Sequence, residues 1–272
     1  MTINSYLAGL ADHAILRDDE KLSVQRSITA LQSRLTNHFG NQIRQHFAFG
    51  SYSRGTILPR SMDPQSDIDY MVVFADIGLQ PLSYLDRLRR FSEVQYARSE
   101  VAQSHPTVVL DLNHIRFELV PAVQNWFSGL QIPAKGSAYQ SWQDTDPNSF
   151  NQTLSSANQA NGNLIKPLVR VMKYWNASAR YPFESYALEQ HIVAQGYGLL
   201  GLLGSRKLVD YFFQAVESLD AGWSAPQWKQ ESVSRLKQLA SLARSQERSG
   251  SYIQAEATIK RLLPPVGALL GI

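Results

Sequence analysis

Ser66-Asp67-Ile68-Asp69-Tyr70-Met71-Val72-Val73-Phe74 is the stretch on which the fold turns. After Asp69 it is apolar and rich in β-branched and aromatic residues, and a polar, Pro- and Ser-containing loop precedes it, which is the pattern of a strand. On a strand residues i and i+2 share a face, so Asp67 and Asp69 project together. Aspartate is disfavoured in strands and two like charges side by side repel, so stability alone gives no reason for the pair. The plain alternative is a solvated strand start.

Upstream, Val24, Ile28, Leu31, Leu35 and Phe39 recur with a helical period and predict a helix over residues 20–39, stopped by Gly40 and Asn41. Gln45 to Phe49 predicts a short strand that runs into Gly50-Ser51. Downstream, the pattern predicts a helix over Leu82–Ala102 and strands at Thr107–Leu112 and His114–Pro121, turning at Asn113. Gln131 to Asn151, with Pro133, Gly136 and Pro147, reads as a crossing loop. Beyond about residue 155 the signal is helical: Asn163–Asn176, Tyr186–Leu200, Lys207–Ser218, Ala225–Ser245 and Tyr252–Leu263. The expectation is an α+β chain. A small mixed sheet flanked by helices occupies residues 1–150, a helical lobe occupies 151–272, and the functional site lies in a cleft between them.

Bulk properties narrow the function classes. A net charge of +3 and a pI near 9.0 fall well short of a dedicated nucleic-acid binder, whereas a small polyanion needs only a local basic cluster. The absence of cysteine removes disulfides, thiolate zinc sites and a cysteine nucleophile, and it fits a reducing compartment. No apolar run approaches the ~20 residues of a membrane span, and Met1 to Leu10 has no basic, apolar leader pattern. The Gly-rich apolar stretch Gly196 to Gly204 reads as buried packing. A cytoplasmic protein is expected.

Four further segments carry candidate chemistry. In Phe49-Gly50-Ser51-Tyr52-Ser53-Arg54-Gly55-Thr56, Gly50 permits close backbone approach and Ser51 offers an N–H and a hydroxyl to a phosphate oxygen. In Arg116-Phe117-Glu118-Leu119-Val120-Pro121, Glu118 interrupts an apolar strand; a salt bridge to Arg116 or plain exposure is the alternative to a third metal ligand. Lys166, Arg170 and Lys173 fall at i, i+4 and i+7, one basic stripe opposite Leu164, Leu168, Val171 and Trp175; a solvated surface is the alternative to a triphosphate grip. At a helix start, Ser185 reads as an N-cap, and Tyr186 as either core or a stacking surface for a base. Three carboxylates around two hard cations are suited to in-line phosphoryl transfer. Histidines 13, 38, 46, 105, 114 and 191 show no ligand spacing.

Taken together, Gly50-Ser51, Asp67/Asp69 and Glu118 in this order resemble the DNA-polymerase-β-like nucleotidyltransferase superfamily. Within it, the chain is most similar to the bacterial CD-NTases, relatives of cyclic GMP-AMP synthase and oligoadenylate synthase. The likeness runs from about residue 45 to 195. It is carried by Phe49 to Thr56, Asp67-Ile68-Asp69, Phe117 to Ala122, Trp142 with Thr145-Asp146-Pro147, Leu168 to Trp175 and Ser185-Tyr186. The resemblance implies a polymerase-β-like core that joins nucleoside triphosphates into a cyclic or linear oligonucleotide second messenger, read by a downstream effector in antiviral signalling. It implies two Mg²⁺ ions, replaceable by Mn²⁺, on Asp67, Asp69 and Glu118. It further implies nucleotide contacts from Gly50, Ser51, Arg54, Lys166, Arg170, Lys173, Ser185 and Tyr186. The family's third acid is normally Asp; Glu118 carries its carboxylate about 1.5 Å further out. Asp111 is close by but lies outside the Val120-Pro121 motif. Transfer onto tRNA or protein and a catalytically weak nucleotide sensor use the same motifs and remain alternatives, the modest net charge weighing against an RNA acceptor.

Overall fold

The computed structural model describes residues 1–97, 99–104, 107–127, 129–134, 141–198 and 207–267. Contacts divide the chain into two units, one formed by Arg17–Arg54 and Gln65–Ser149, the other by Met1–Leu16, Gly55–Pro64 and Phe150–Ile272. The sequence points to a single change of character near residue 150; in the structure two early segments also group with the helical unit.

In the mixed unit, a long helix, α2 (Asp18–Phe39), follows the chain's first helix, α1 (Ile3–His13), which belongs to the other unit. The start of α2 is favoured by Asp18, Asp19 and Glu20 in its first turn, and the Glu20 carboxylate accepts the Arg17 backbone N–H at 2.8 Å. Then come β1 (Ile43–Ala48), the one-turn helix α3 (Gly50–Arg54), β2 (Asp67–Phe74), α4 (Pro81–Gln95), β3 (Glu100–Ser104), β4 (Thr107–Leu112), β5 (Ile115–Gln124), β6 (Leu130–Pro133) and β7 (Trp142–Thr145). The strands form one mixed sheet in the order β1-β2-β5-β4-β3, with β6 joining β5 and β7 joining β6. Only β2 and β5 run parallel among the paired strands of the described residues.

Side-chain alternation gives this sheet two unlike faces. Ile68, Tyr70, Val72 and Phe74 are fully buried on one, where Phe74 meets Phe39 of α2 and Tyr84 of α4 edge-on or tilted. The other face begins with Asp67 and Asp69 and becomes apolar at Met71 and Val73, which pack with Val120, Ala122, Phe47 and Phe49. Acids therefore stand at one end of an otherwise greasy face.

Two sequence expectations change here. The helix predicted over Leu82–Ala102 stops at Gln95, and Glu100–Ser104 instead pairs antiparallel with β4, Val101 opposite Leu110. The predicted loop Gln131–Asn151 contains β6 and β7, and the helix α5 (Ser149–Ala160) begins within it; Gly136 lies outside the described residues. Each of these strands is only four or five residues long and gains its hydrogen bonds from the strand next to it in the chain, which a short apolar pattern does not register.

The helical unit contains α1, α5, α6 (Ile165–Ser178), α7 (Ser185–Ala194), α8 (Leu208–Ser218), α9 (Gln227–Arg248) and α10 (Tyr252–Lys260). Its core joins Ile3, Leu7 and Leu10 of α1 to Leu168, Val171 and Met172 of α6, Phe212 of α8, Leu236 of α9 and Ile259 of α10. Leu58 and Met62 belong to the same core, which is why the segment Gly55–Pro64 goes with this unit. The helix predicted to Leu200 closes at Ala194, and residues 199–204 of the glycine-rich stretch lie outside the described residues. No described helix is long and apolar enough to cross a membrane.

Candidate active site

The parallel pairing of β2 with β5 sets the site. Asp67 lies opposite Arg116 and Asp69 opposite Glu118, with Ile68 and Phe117 between them pointing into the buried face. Asp67, Asp69 and Glu118 consequently stand on one face, and Arg116 joins them there. The Glu118 carboxylate is hydrogen-bonded to Asp67 and receives a long, 3.4 Å hydrogen bond from the Thr107 hydroxyl. Burial first, and then the Asp69 charge, push Glu118 above the ordinary carboxylate range. The three acids therefore concentrate negative charge on one face of the sheet. Arg116 is the nearby cation, and it is engaged with Asp111 at 2.8 Å. The salt bridge to Arg116, the alternative reading of Glu118, is made by Asp111 instead.

Gly50 is held by the same acids. Its φ of +68° is in the left-handed region, and a Cβ built on it would fall 1.8 Å from Asp69 Oδ2 and 2.7 Å from Asp69 Cγ. The close approach that sequence reasoning reserved for a ligand is an approach of the Asp69 carboxylate to the Gly50 backbone. The Phe49 N–H donates to the Asp69 carbonyl at 2.9 Å, which fixes the turn against β2. Ser51, half-buried, is the second residue of α3. Arg54, its last, is buried and engaged within the protein.

The donors present are hard carboxylate oxygens, which suit Mg²⁺ or Mn²⁺ in kind. Among the described residues, however, no three His, Asp or Glu side chains are grouped so that they could hold a metal ion together.

The remaining residues singled out by the sequence lie in the helical unit. Arg170 and Lys173 do not form a solvated stripe: both are buried. Arg170 donates to the carbonyls of Ala11 at 3.3 Å and Gly55 at 3.2 Å. Lys173 donates to the Thr56 carbonyl at 3.1 Å and pairs with Glu189 at 3.2 Å, and Glu189 also accepts the Thr56 hydroxyl at 2.9 Å. This buried Lys173–Glu189–Thr56 group, whose acid was not foreseen, clamps the chain at Gly55–Thr56. Its signal was Glu189 on the buried side of α7, four residues beyond Ser185. Lys166 is half-exposed in the first turn of α6. Ser185 is not the N-cap of α7; Glu184 is, and Ser185 is the first helical residue. Tyr186 is 45% exposed and meets Phe150 edge-on at 5.4 Å.

Comparison with known proteins follows from this arrangement. Residues 1–158 match the family described as Second Messenger Oligonucleotide or Dinucleotide Synthetase domain. A probable cyclic nucleotide synthase of Bacillus cereus (strain VD146) is 23% identical over 256 residues, covering 80% of this chain and 76% of that protein. The fold is also that of the CD-NTase CdnG of Bradyrhizobium diazoefficiens, solved with GTP, at a TM-score of 0.66 and 13% identity over 95% of this chain and 97% of that one. The Vibrio cholerae cyclic AMP-GMP synthase DncV, solved with the linear intermediate pppA(3′,5′)pG, superposes at a TM-score of 0.63 and 14% identity over 98% of this chain and 80% of that one.

Proposed function

The chain belongs to the Second Messenger Oligonucleotide or Dinucleotide Synthetase family, the CD-NTases, and on that premise we propose that it joins nucleoside triphosphates into a cyclic or linear oligonucleotide with release of pyrophosphate. The observation that carries the reading is the register of β2 with β5, which sets Glu118 beside Asp69 on the face that also bears Asp67.

The reaction requires a sugar hydroxyl oxygen to bond to the α-phosphorus of a triphosphate while the bond from that phosphorus to the pyrophosphate oxygen breaks. Ring closure repeats the exchange within the linear intermediate and releases a second pyrophosphate. Asp67 and Asp69 would hold the divalent cation, Mg²⁺ or Mn²⁺, with Glu118 as the third acid. When bound, the cation supplies positive charge to the phosphoryl oxygens and to the departing pyrophosphate. Glu118, half-buried and beside Asp69, would accept the proton of the attacking hydroxyl. The Gly50-Ser51 turn offers its Ser51 hydroxyl to a phosphate oxygen, and the exposed ring of Tyr186 offers a stacking surface for a base. The product acts as a second messenger on an effector protein, in antiviral defence.

The test is product identity. Purified protein is incubated with ATP, GTP, CTP and UTP, singly and mixed, with Mg²⁺ or Mn²⁺, and the small products are resolved by mass spectrometry before and after phosphatase. A phosphodiester-linked species is expected, phosphatase-resistant if closed into a ring. Labelled nucleotide appearing only on added tRNA or protein, with no small product, would refute the proposal.

A further inference from the structure

A second polar concavity lies within the helical unit, built by α6, its following turn, α9 and the segment after α10. It encloses about 370 Å³, and Arg180, Arg235 and Arg261 line it together with Ser178, Trp175 and Pro264. No carboxylate lines it. All three arginines are exposed, and among the described residues none of their guanidinium groups has an ion-pair or hydrogen-bond partner. This sets them apart from Arg87, Arg89, Arg116 and Arg244, each of which faces a carboxylate. Three positive charges drawn from three separate elements into one cleft repel one another, and among the described residues no carboxylate of the lining offsets that.

The turn that delivers Arg180 is itself unusual. Arg180 and Tyr181 both have positive φ, +64° and +57°, which residues with a Cβ rarely adopt, least of all in succession. The turn is held open by specific bonds. The Asn176 side chain donates to the Phe183 carbonyl at 2.9 Å and accepts the Phe183 N–H at 3.0 Å. The Tyr181 hydroxyl donates to Asp63 at 2.6 Å. The turn closes the end of α6, the Tyr181 N–H donating to the Asn176 carbonyl at 2.8 Å, and it carries an unpaired arginine to the mouth of the basic cleft. The floor is apolar, with Trp175 only 3% exposed and Leu236 and Leu262 buried. The serine hydroxyls donate inward, Ser178 to the Trp175 carbonyl and Ser232 to the Trp228 carbonyl, each at 2.8 Å. The guanidinium groups are therefore the donors left for a ligand.

We propose that this cleft binds a small ligand bearing two or more phosphate groups, separately from the acidic face of the sheet. The guanidinium fork matches phosphate oxygens two at a time, and the volume falls within the ~300–1,000 Å³ of small-ligand sites. A long nucleic acid would call for an extended basic track along the surface, whereas these charges converge on one point.

Inorganic tripolyphosphate, which has no base and cannot be joined, is the probe. The full chain is titrated calorimetrically without divalent cation, as wild type and as Arg235→Glu/Arg261→Glu. The charge-reversed sites are exposed on helical or turn surfaces, so circular dichroism and nucleotide joining are expected to match the wild type. Binding is expected to weaken about tenfold or more in this variant, and Arg235→Lys/Arg261→Lys is expected to fall between, since a point charge replaces each fork. Unchanged isotherms, or no binding of tripolyphosphate by the wild type, would overturn the proposal. So would a wild type that ignores tripolyphosphate but binds a duplex or single-stranded oligonucleotide through the same arginines.

Discussion

At the scale of single residues, Gly50 is tied to the acids it adjoins. Gly50→Ala places a Cβ where Asp69 Oδ2 sits, at a φ of +68°, so both the turn and the carboxylate must move. A loss of about 1–3 kcal/mol in denaturant unfolding is expected, with a fall in product formation beyond what the lost stability explains. Glu118 makes a different prediction. Glu118→Gln removes the charge but keeps the length, and product formation is expected to fall about 100-fold or more, while Glu118→Asp keeps measurable activity; comparing kcat/KM of the two checks this. The shared face of Asp67 and Asp69 was legible in the sequence because i, i+2 spacing on a strand dictates it whatever the rest of the fold does. Two details were not. The Arg116 bridge to Asp111 depends on the β4–β5 hairpin, whose register places Asp111 opposite Arg116, and the approach of Glu118 to Asp67 depends on the pairing of β5 with β2.

At the scale of elements, α6 gives the clearest lesson. The spacing of Lys166, Arg170 and Lys173 was read as one basic stripe, yet burial separates them: two are inside, where their charges are spent on the backbone at Ala11, Gly55 and Thr56 and on Glu189. Helical periodicity assigns a face; it does not reveal that a later helix, α7, brings an acid against it. Lys173→Met leaves Glu189 buried without its cation and is expected to cost about 3–5 kcal/mol, measured by urea unfolding. Lys173→Met with Glu189→Leu is expected to recover much of that loss. A stable Lys173→Met protein with a raised KM for triphosphate would instead assign Lys173 to the substrate. The strands β3, β6 and β7 were missed because each is short, four or five residues, and is held by pairing with the strand beside it rather than by a period of its own. The helix α1 had a readable pattern in Ile3, Leu7 and Leu10, with Thr2 accepting the Ser5 N–H at 3.2 Å as its cap, and was passed over.

For the whole molecule, the mixed sheet and the helical second half were legible because the first half alternates strand and helix patterns and the second repeats helical ones. The division into units was not, because Met1–Leu16 and Gly55–Pro64 are assigned by contacts with residues more than a hundred positions away. The chemistry makes one demand of the intact chain. Chelation of divalent cations is expected to stop product formation without unfolding the protein, and added Mg²⁺ or Mn²⁺ to restore it, as followed by circular dichroism alongside the assay. The most direct measurement is pyrophosphate release from mixed nucleoside triphosphates by the wild type and by Asp67→Asn/Asp69→Asn, each verified as folded. Steady release by the wild type, reduced about a thousandfold or more in the variant, is the expected result. Equal release by both would contradict the assignment of chemistry to the acidic face of β2 and β5.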